Sequence, residues 1–151
     1  MIVYLDASAL VKRYIAEAGS AEVGGLIAGA DVVGTAVITR AEVAAALAKA
    51  ARLGTLQRNE AEAALQVFRA EWPHLVRLQL TEVIAAQADA LAWAHDLRGY
   101  EAVHLATARF WQDSLGEPLT LATFDRQLWH AAGPAGLTAW PADLEPHLGG
   151  P

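Results

Sequence analysis

The sequence contains no cysteine, and this absence excludes several kinds of chemistry at once. Disulfide bonds, thiolate metal sites and cysteine nucleophiles all require that side chain. A chain without cysteines also suits a reducing compartment. The sequence further lacks a G-x-S-x-G elbow and a phosphate-binding loop, the signatures of α/β-hydrolases and of P-loop nucleotide triphosphatases. These classes of enzyme are therefore disfavoured.

A long apolar run is missing as well. No uninterrupted apolar stretch approaches the roughly 20 residues that a membrane-spanning helix needs. The opening segment MIVYLD has no basic region and reaches an acid too early for a secretory signal peptide. We therefore expect a cytoplasmic protein that makes no membrane contact.

Positive charge is scarce, with 11 Lys and Arg residues against 17 Asp and Glu and a net charge of −6. This balance disfavours a passive nucleic-acid-binding module, which usually carries a basic surface. It is compatible with an enzyme that acts on nucleic acid through bound cations. Carboxylates that hold divalent ions count as negative in the sequence, yet they present positive charge once the ions are bound.

Short apolar runs alternate with helical patterns along the 151 residues. The pattern predicts strands at 2–5, 32–38, 75–80, 118–123 and 137–140, and helices at about 7–17, 20–28, 39–53, 57–71, 81–97, 100–113 and 125–132. This alternation predicts one α/β domain over residues 1–140, with a mostly parallel sheet of four or five short strands flanked by helices. Residues 141–151 contain three prolines and two glycines, and we expect a frayed tail there.

Four acids occupy positions that such a sheet can bring to one edge. Asp6 and Asp125 follow predicted strands, while Glu42 and Glu101 lie in the first turns of predicted helices. Ligands of open parallel sheets gather beyond the carboxyl ends of the strands. Crowded carboxylates repel one another unless a cation binds, and an all-oxygen ligand set suits Mg²⁺ or Mn²⁺. Such ions promote phosphodiester hydrolysis by activating water and stabilising the developing charge.

Each acid also has a purely structural interpretation. Asp6 and Asp125 are good N-cap residues, and Glu101 complements the dipole of its helix. Thr39 and Glu42 form a capping-box pattern. For Glu42 alone the structural interpretation is the stronger one. The functional interpretation therefore rests on the four acids taken together.

His104 lies three residues after Glu101, the spacing found in di-iron helical bundles. Those proteins need a second copy on another helix, and the only other copy, EWPH, contains a proline. We interpret His104 as a packed helix residue that makes a local hydrogen bond.

Four segments in order resemble the motifs of PIN-domain ribonucleases, in particular toxins of the VapC type. They are IVYLDASALVKRY around Asp6, TRAEVAAAL around Glu42, LRGYEAVHLATA around Glu101 and LATFDRQL around Asp125. The resemblance extends over nearly the whole chain, from Met1 to about Trp140. It implies a parallel sheet with flanking helices, an acidic pocket for Mg²⁺ or Mn²⁺, and RNA hydrolysis. It also implies a homodimer and an antitoxin whose C-terminal arm covers the pocket.

The resemblance assigns roles to individual positions. Asp6, Glu42, Glu101 and Asp125 would be the catalytic acids, with Asp6, Glu101 and Asp125 as metal ligands. It also makes Ser8 and Thr123 hydroxyl supports near the metal. Apart from the resemblance, Lys12, Arg13, Arg98 and Arg126 lie near the four motifs in the sequence and are candidates for contacts to RNA phosphates.

Position 101 departs from the family pattern, which usually has aspartate there. Glutamate extends the carboxylate by one C–C bond, about 1.5 Å, and Mg²⁺ demands near-octahedral geometry. Two alternatives therefore remain open. One is a catalytically impaired PIN-like module that binds RNA or an antitoxin, and the other is a metal-dependent phosphatase acting on small molecules.

Overall fold

The computed structural model describes residues 1–148, and within them it contains one parallel sheet of five strands. The strands are β1 (Ile2–Leu5), β2 (Val32–Ala36), β3 (Val76–Leu78), β4 (Leu119–Ala122) and β5 (Thr138–Trp140). Their order is β3-β2-β1-β4-β5, and all neighbours run parallel. The chain winds from β1 in both directions, so the switch point of the topology lies between β1 and β4. Ligands of doubly wound sheets bind at such a point, beyond the carboxyl ends of the strands.

Seven α-helices accompany these strands in the same part of the chain. They are α1 (Ala7–Leu10), α2 (Ser20–Gly29), α3 (Thr39–Arg52), α4 (Arg58–Glu71), α5 (Glu82–His95), α6 (Gly99–Leu115) and α7 (Arg126–Ala132). Short 3₁₀ helices lie at Val11–Arg13, Trp72–His74 and Glu145–His147. The described residues contain no helix long and apolar enough to cross a membrane.

The central strand β1 is buried on both faces. Because side chains alternate along a strand, Tyr4 joins one core layer while Val3 and Leu5 join the other. The Tyr4 layer contains residues of α5, α6 and α7, among them Ile84, Leu105 and Leu128. The opposite layer contains residues of α1 to α4, among them Leu10, Val23, Val43 and Phe68. Burial on both faces is typical of parallel sheets.

The glycine within β2 is required by close packing. A Cβ atom at Gly34 would lie 2.6 Å from the ring of Trp111 in α6, closer than real carbon contacts allow. The indole of Trp111 can therefore pack against β2 only because position 34 has no side chain.

The predicted α/β class and parallel sheet are confirmed, and the main error concerns the first helix. The helix predicted over 7–17 ends at Leu10 and continues only as the 3₁₀ turn Val11–Arg13. From within this turn, the Lys12 side chain donates hydrogen bonds to the Glu17 carboxylate and the Ala18 carbonyl. These contacts hold residues 17 and 18 against the turn.

Residues 141–148, predicted from the sequence to be part of a frayed tail, lie against the domain. Leu144 is buried, and the His147 ring meets the Phe124 ring edge to face with centroids 5.6 Å apart. The rest of that predicted tail, residues 149–151, lies outside the described residues.

Candidate active site

Asp6 and Asp125 lie at the carboxyl ends of the adjacent strands β1 and β4. Both are N-caps, as the structural interpretation predicts: Asp6 Oδ1 accepts from the Ala9 amide at 3.0 Å, and Asp125 Oδ1 accepts from the Leu128 amide at 2.9 Å. Each cap uses one carboxylate oxygen. The Oδ2 atoms have other partners, Thr123 for Asp6 and Arg98 for Asp125. Asp6 and Asp125 can therefore each cap a helix through Oδ1 and still contact another group through Oδ2.

Two hydroxyl groups connect the ends of these strands. Thr123 donates to Asp6 Oδ2 at 2.6 Å, and its oxygen accepts from the Asp125 amide at 3.0 Å. Ser8 donates to Asp6 Oδ1 at 2.7 Å and accepts from the Phe124 amide at 2.8 Å. The position of Asp6 relative to Asp125 is thus set by short, uncharged contacts. Ser8 and Thr123, the residues predicted as hydroxyl supports, both contact Asp6.

Asp6 is only 4% exposed, and burial raises the pKa of its carboxyl. His104, the Thr123 and Ser8 hydroxyls and the Ala9 amide all act in the opposite direction. Burial has the larger effect because removing a carboxylate from water disfavours the charged form. A cation bound beside Asp6 would relieve this cost.

Glu101 and Asp125 are joined by a cation of the chain itself. Arg98 donates through Nε and Nη2 to the two Glu101 oxygens, at 3.1 Å each, and through Nη2 to Asp125 Oδ2 at 2.7 Å. The two carboxylates are about one-fifth exposed, whereas the arginine side chain is 68% exposed. Glu101 lies in the first turn of α6, as predicted. The guanidinium occupies the space between two acids that the resemblance assigns to a metal ion.

Glu42 has a different partner from the one predicted. The N-cap of α3 is Ile38 and Thr39 accepts from the Thr35 hydroxyl at 2.8 Å, so the capping-box interpretation is wrong. Glu42 Oε1 instead lies 2.7 Å from His104 Nε2. Because Glu42 does not cap α3, its carboxylate can take part in the group of acids at this edge of the sheet.

The local hydrogen bond predicted for His104 is also wrong. The ring is buried and lies between Glu42 and Tyr4, with Nδ1 2.7 Å from the Tyr4 hydroxyl. Both partners belong to distant parts of the chain. One sequence signal could have indicated Tyr4: a tyrosine inside an otherwise aliphatic buried strand needs a hydrogen-bond partner for its hydroxyl. The sequence does not indicate which side chain provides it.

Three of the four predicted phosphate contacts are engaged elsewhere. Lys12 pairs with Glu17 and lies over the Phe124 ring, 4.5 Å from its centroid. Arg13 pairs with Glu71 at 3.2 Å, and Arg126 lies 3.7 Å from Glu145. Only Arg98 contacts the predicted acids directly.

The donor chemistry of this edge fits Mg²⁺ or Mn²⁺, because every candidate ligand is an oxygen. As arranged, however, the 148 described residues contain no group of three or more acids, histidines or cysteines close enough to hold an ion. The Arg98 guanidinium lies between Glu101 and Asp125 and contacts both carboxylates. An ion held by Glu101 and Asp125 together would displace it.

Known proteins similar to this chain in sequence and in fold identify its family. A model of the PIN domain family matches residues 3–134. Ribonuclease VapC45 of Mycobacterium tuberculosis is 39% identical over 146 residues, covering 96% of this chain and 99% of that protein. PAE2754 of Pyrobaculum aerophilum has a similar structure, with a TM-score of 0.64 at 23% identity, covering 97% of this chain and 85% of the other. A chain of a toxin–antitoxin complex from Klebsiella pneumoniae gives 0.54 at 20% identity, with coverages of 82% and 86%. The four motifs, the sheet topology and these matches agree, and the chain belongs to the PIN-domain family.

Proposed function

We propose that the protein is a divalent-metal-dependent endoribonuclease and the toxin of a toxin–antitoxin pair. The observation that carries the proposal is the junction of β1 and β4, where Thr123 connects Asp6 to the backbone of Asp125 at the switch point of the sheet. The relationship to a protein named ribonuclease VapC, over almost the full length of both chains, supports the same activity.

In this proposal Asp6, Glu101 and Asp125 would hold Mg²⁺ or Mn²⁺, and the ion would supply Lewis acidity for water activation and for neutralising charge on the phosphate. Ser8 and Thr123 keep Asp6 oriented through hydrogen bonds that need no net charge. Glu42 orients the attacking water and accepts its proton. Arg98, released from the carboxylates, contacts an RNA phosphate.

An RNA cleavage assay with Mg²⁺, Mn²⁺ or EDTA tests the activity. We expect cleavage with either ion and none in EDTA, and Asp6→Asn should abolish it. Asp113→Asn on the exposed surface of α6 is the matched control and should cleave like the wild type. RNA binding without cleavage by the wild type would favour the impaired module. Hydrolysis of a small phosphomonoester with no effect on RNA would favour the phosphatase.

We further propose that the protein is a homodimer that pairs through α5. The solvent-facing side of this helix carries an apolar stripe formed by Val83, Ala86, Ala90 and Trp93. Trp93 is 91% exposed, which is unusual for an indole unless a partner covers it. Light scattering should report a dimer for the wild type and a monomer for Trp93→Glu. A wild type that is monomeric at tens of micromolar would refute this assembly.

The antitoxin is proposed to bind the groove between α3 and α4. Alanines and leucines line this groove, including Leu47, Ala51 and Leu65, and it continues into a second depression beside Arg40 and Arg69. An amphipathic helix of the antitoxin could place its apolar face in the groove and acidic residues at one end beside Arg40 and Arg69. Ala48→Arg should weaken antitoxin binding without altering RNA cleavage by the free toxin. Loss of cleavage in a folded Ala48→Arg protein would place the groove within the catalytic machinery instead.

A further inference from the structure

A chain of hydrogen bonds runs from the protein core to one of the acids. It begins at Tyr4 in β1, which is fully buried, passes through His104 in α6, which is 2% exposed, and ends at Glu42 in α3. Both links are 2.7 Å long. Since α3 and α6 belong to opposite core layers, this chain joins the two layers across the edge of the sheet.

The direction of the hydrogen bonds follows from the groups at the two ends of the chain. A carboxylate can only accept, so His104 Nε2 donates to Glu42 Oε1. A neutral imidazole with its proton on Nε2 accepts at Nδ1, so the Tyr4 hydroxyl donates to His104 Nδ1.

Glu42 depends on this contact for its orientation. The side chain is partly exposed and has several rotatable bonds, and α3 does not use it as a cap. The histidine engages Oε1, which leaves Oε2 as the oxygen free to face a water molecule. Removing the imidazole contact would let the carboxylate sample other rotamers.

We propose that Tyr4 and His104 are positioning residues, which fix Glu42 through a single imidazole tautomer. This inference rests on the proposed ribonuclease function, because it assigns Glu42 to the reaction. The residues themselves contact neither RNA nor the reacting atoms. Supporting groups of this kind commonly change activity by roughly 10- to 100-fold when removed.

Two substitutions at His104 separate its two contacts. Asparagine places its amide near Nδ1 and keeps the Tyr4 contact, whereas glutamine reaches the Nε2 position and keeps the Glu42 contact. His104→Asn should lower kcat by roughly 10- to 100-fold with little change in KM, and His104→Gln should recover most of this loss. If the histidine served packing alone, the two variants would lose activity in proportion to their loss of stability.

A double-mutant cycle shows whether His104 acts through Glu42. In a Glu42→Ala background, His104→Asn should cause no further loss of kcat. An additional loss as large as that in the wild-type background would refute the positioning role.

Nitrogen-15 NMR of histidine-labelled, metal-free protein tests the tautomer without any activity. The His104 signals should show a proton on Nε2, and only the double variant Tyr4→Phe/Glu42→Ala should lose this preference. A proton found on Nδ1 in the wild type would overturn the inference even if every variant failed to fold. Conversely, a wild type with the expected tautomer and no RNA cleavage would contradict the proposed function but leave the hydrogen-bond geometry intact.

Discussion

Asp6 and Glu101 lie at the same edge of the sheet, but the protein holds them in opposite ways. Asp6 is buried and receives hydrogen bonds from the Ser8 and Thr123 hydroxyls and from a backbone amide. Glu101 is partly exposed and pairs with the cationic side chain of Arg98, which it shares with Asp125. One half of the site is therefore held by neutral donors and the other half by a positive charge.

This difference has a direct consequence for cation binding. Neutral hydroxyl groups do not repel a divalent ion, so the contacts of Asp6 can persist when one binds. The guanidinium of Arg98 repels such an ion strongly at short distance, so Arg98 must leave Glu101 and Asp125. The buried half is arranged in advance, and the exposed half completes the site by exchanging one cation for another.

The largest effect on activity is expected at Asp6, where Asp6→Asn should reduce cleavage by at least about 100-fold, the scale typical for loss of one preorganised catalytic contact. The asparagine oxygen still caps α1, and its amide can donate to Thr123. Activity should therefore be lost without loss of the fold. A well-folded Asp6→Asn protein that cleaves RNA normally would contradict the role of the buried half.

The stability of Asp6→Asn relative to the wild type should depend on pH in the metal-free protein. Burial raises the pKa of Asp6 in the folded state, so ionisation costs stability as the pH rises above the unfolded value. The cost is present at neutral pH and disappears as the pH falls well below about 4, where the carboxyl is protonated in both states. In EDTA, Asp6→Asn should therefore melt at or above the wild-type temperature at neutral pH, with a difference that shrinks on acidification. A lower melting temperature at neutral pH would be the contrary result.

Removal of the hydroxyl that connects β1 and β4 should have the next largest effect. Thr123→Val preserves side-chain volume but leaves Asp6 Oδ2 without its donor and the Asp125 amide without its acceptor. We expect activity to fall by roughly 10- to 100-fold. Thr123→Ser retains the hydroxyl and should remain close to the wild type in kcat. Equal losses in both variants would indicate that the methyl group, rather than the hydroxyl, is required.

In the exposed half, Glu101 distinguishes an enzyme from an impaired module. Glu101→Ala should abolish most cleavage because a carboxylate ligand is lost, whereas Glu101→Asp should maintain or increase it. If Glu101 serves only the helix dipole, truncation should cost at most about 1 kcal/mol of stability and cleavage should be unchanged. Cleavage by Glu101→Asp alone, with an inactive wild type, would favour the impaired module.

The smallest effect is expected at Arg98. Whether its substitution raises or lowers the affinity for Mn²⁺ is the informative result. An exposed ion pair contributes at most about 1 kcal/mol, so Arg98→Gln should increase Mn²⁺ affinity by no more than about fivefold. Calorimetry at low ionic strength measures this directly, with Arg58→Gln in α4 as a control that also breaks an exposed ion pair. A decrease in affinity would mean that Arg98 supports the ion rather than competing with it.

Local patterns in the sequence were sufficient for the fold class and for the places of the main acids. Burial on both sheet faces produces continuous apolar runs such as IVYL, and a strand that ends at an acid before a helix is a pattern confined to neighbouring residues. The N-caps at Asp6 and Asp125 were predictable for the same reason, since a cap contacts amides within three residues.

Contacts between distant segments were beyond the reach of those patterns. Thr39 and Glu42 match a capping box, yet Glu42 binds a histidine 62 positions away. At this position a tertiary partner overrides the local preference. The predicted first helix is also too long, but there the contacts that follow it, from Lys12 to Glu17 and Ala18, are local.

The sequence by itself determined the alternation of strands and helices, the four-motif relationship to PIN domains and the positions of Asp6, Glu42, Glu101 and Asp125 along the chain. Only the tertiary structure decided which partner each acid has. The physical reason is that burial and pairing depend on groups brought together from separate strands and helices. Uncharged hydroxyls thus donate to Asp6, a buried imidazole contacts Glu42, and an exposed guanidinium lies between Glu101 and Asp125.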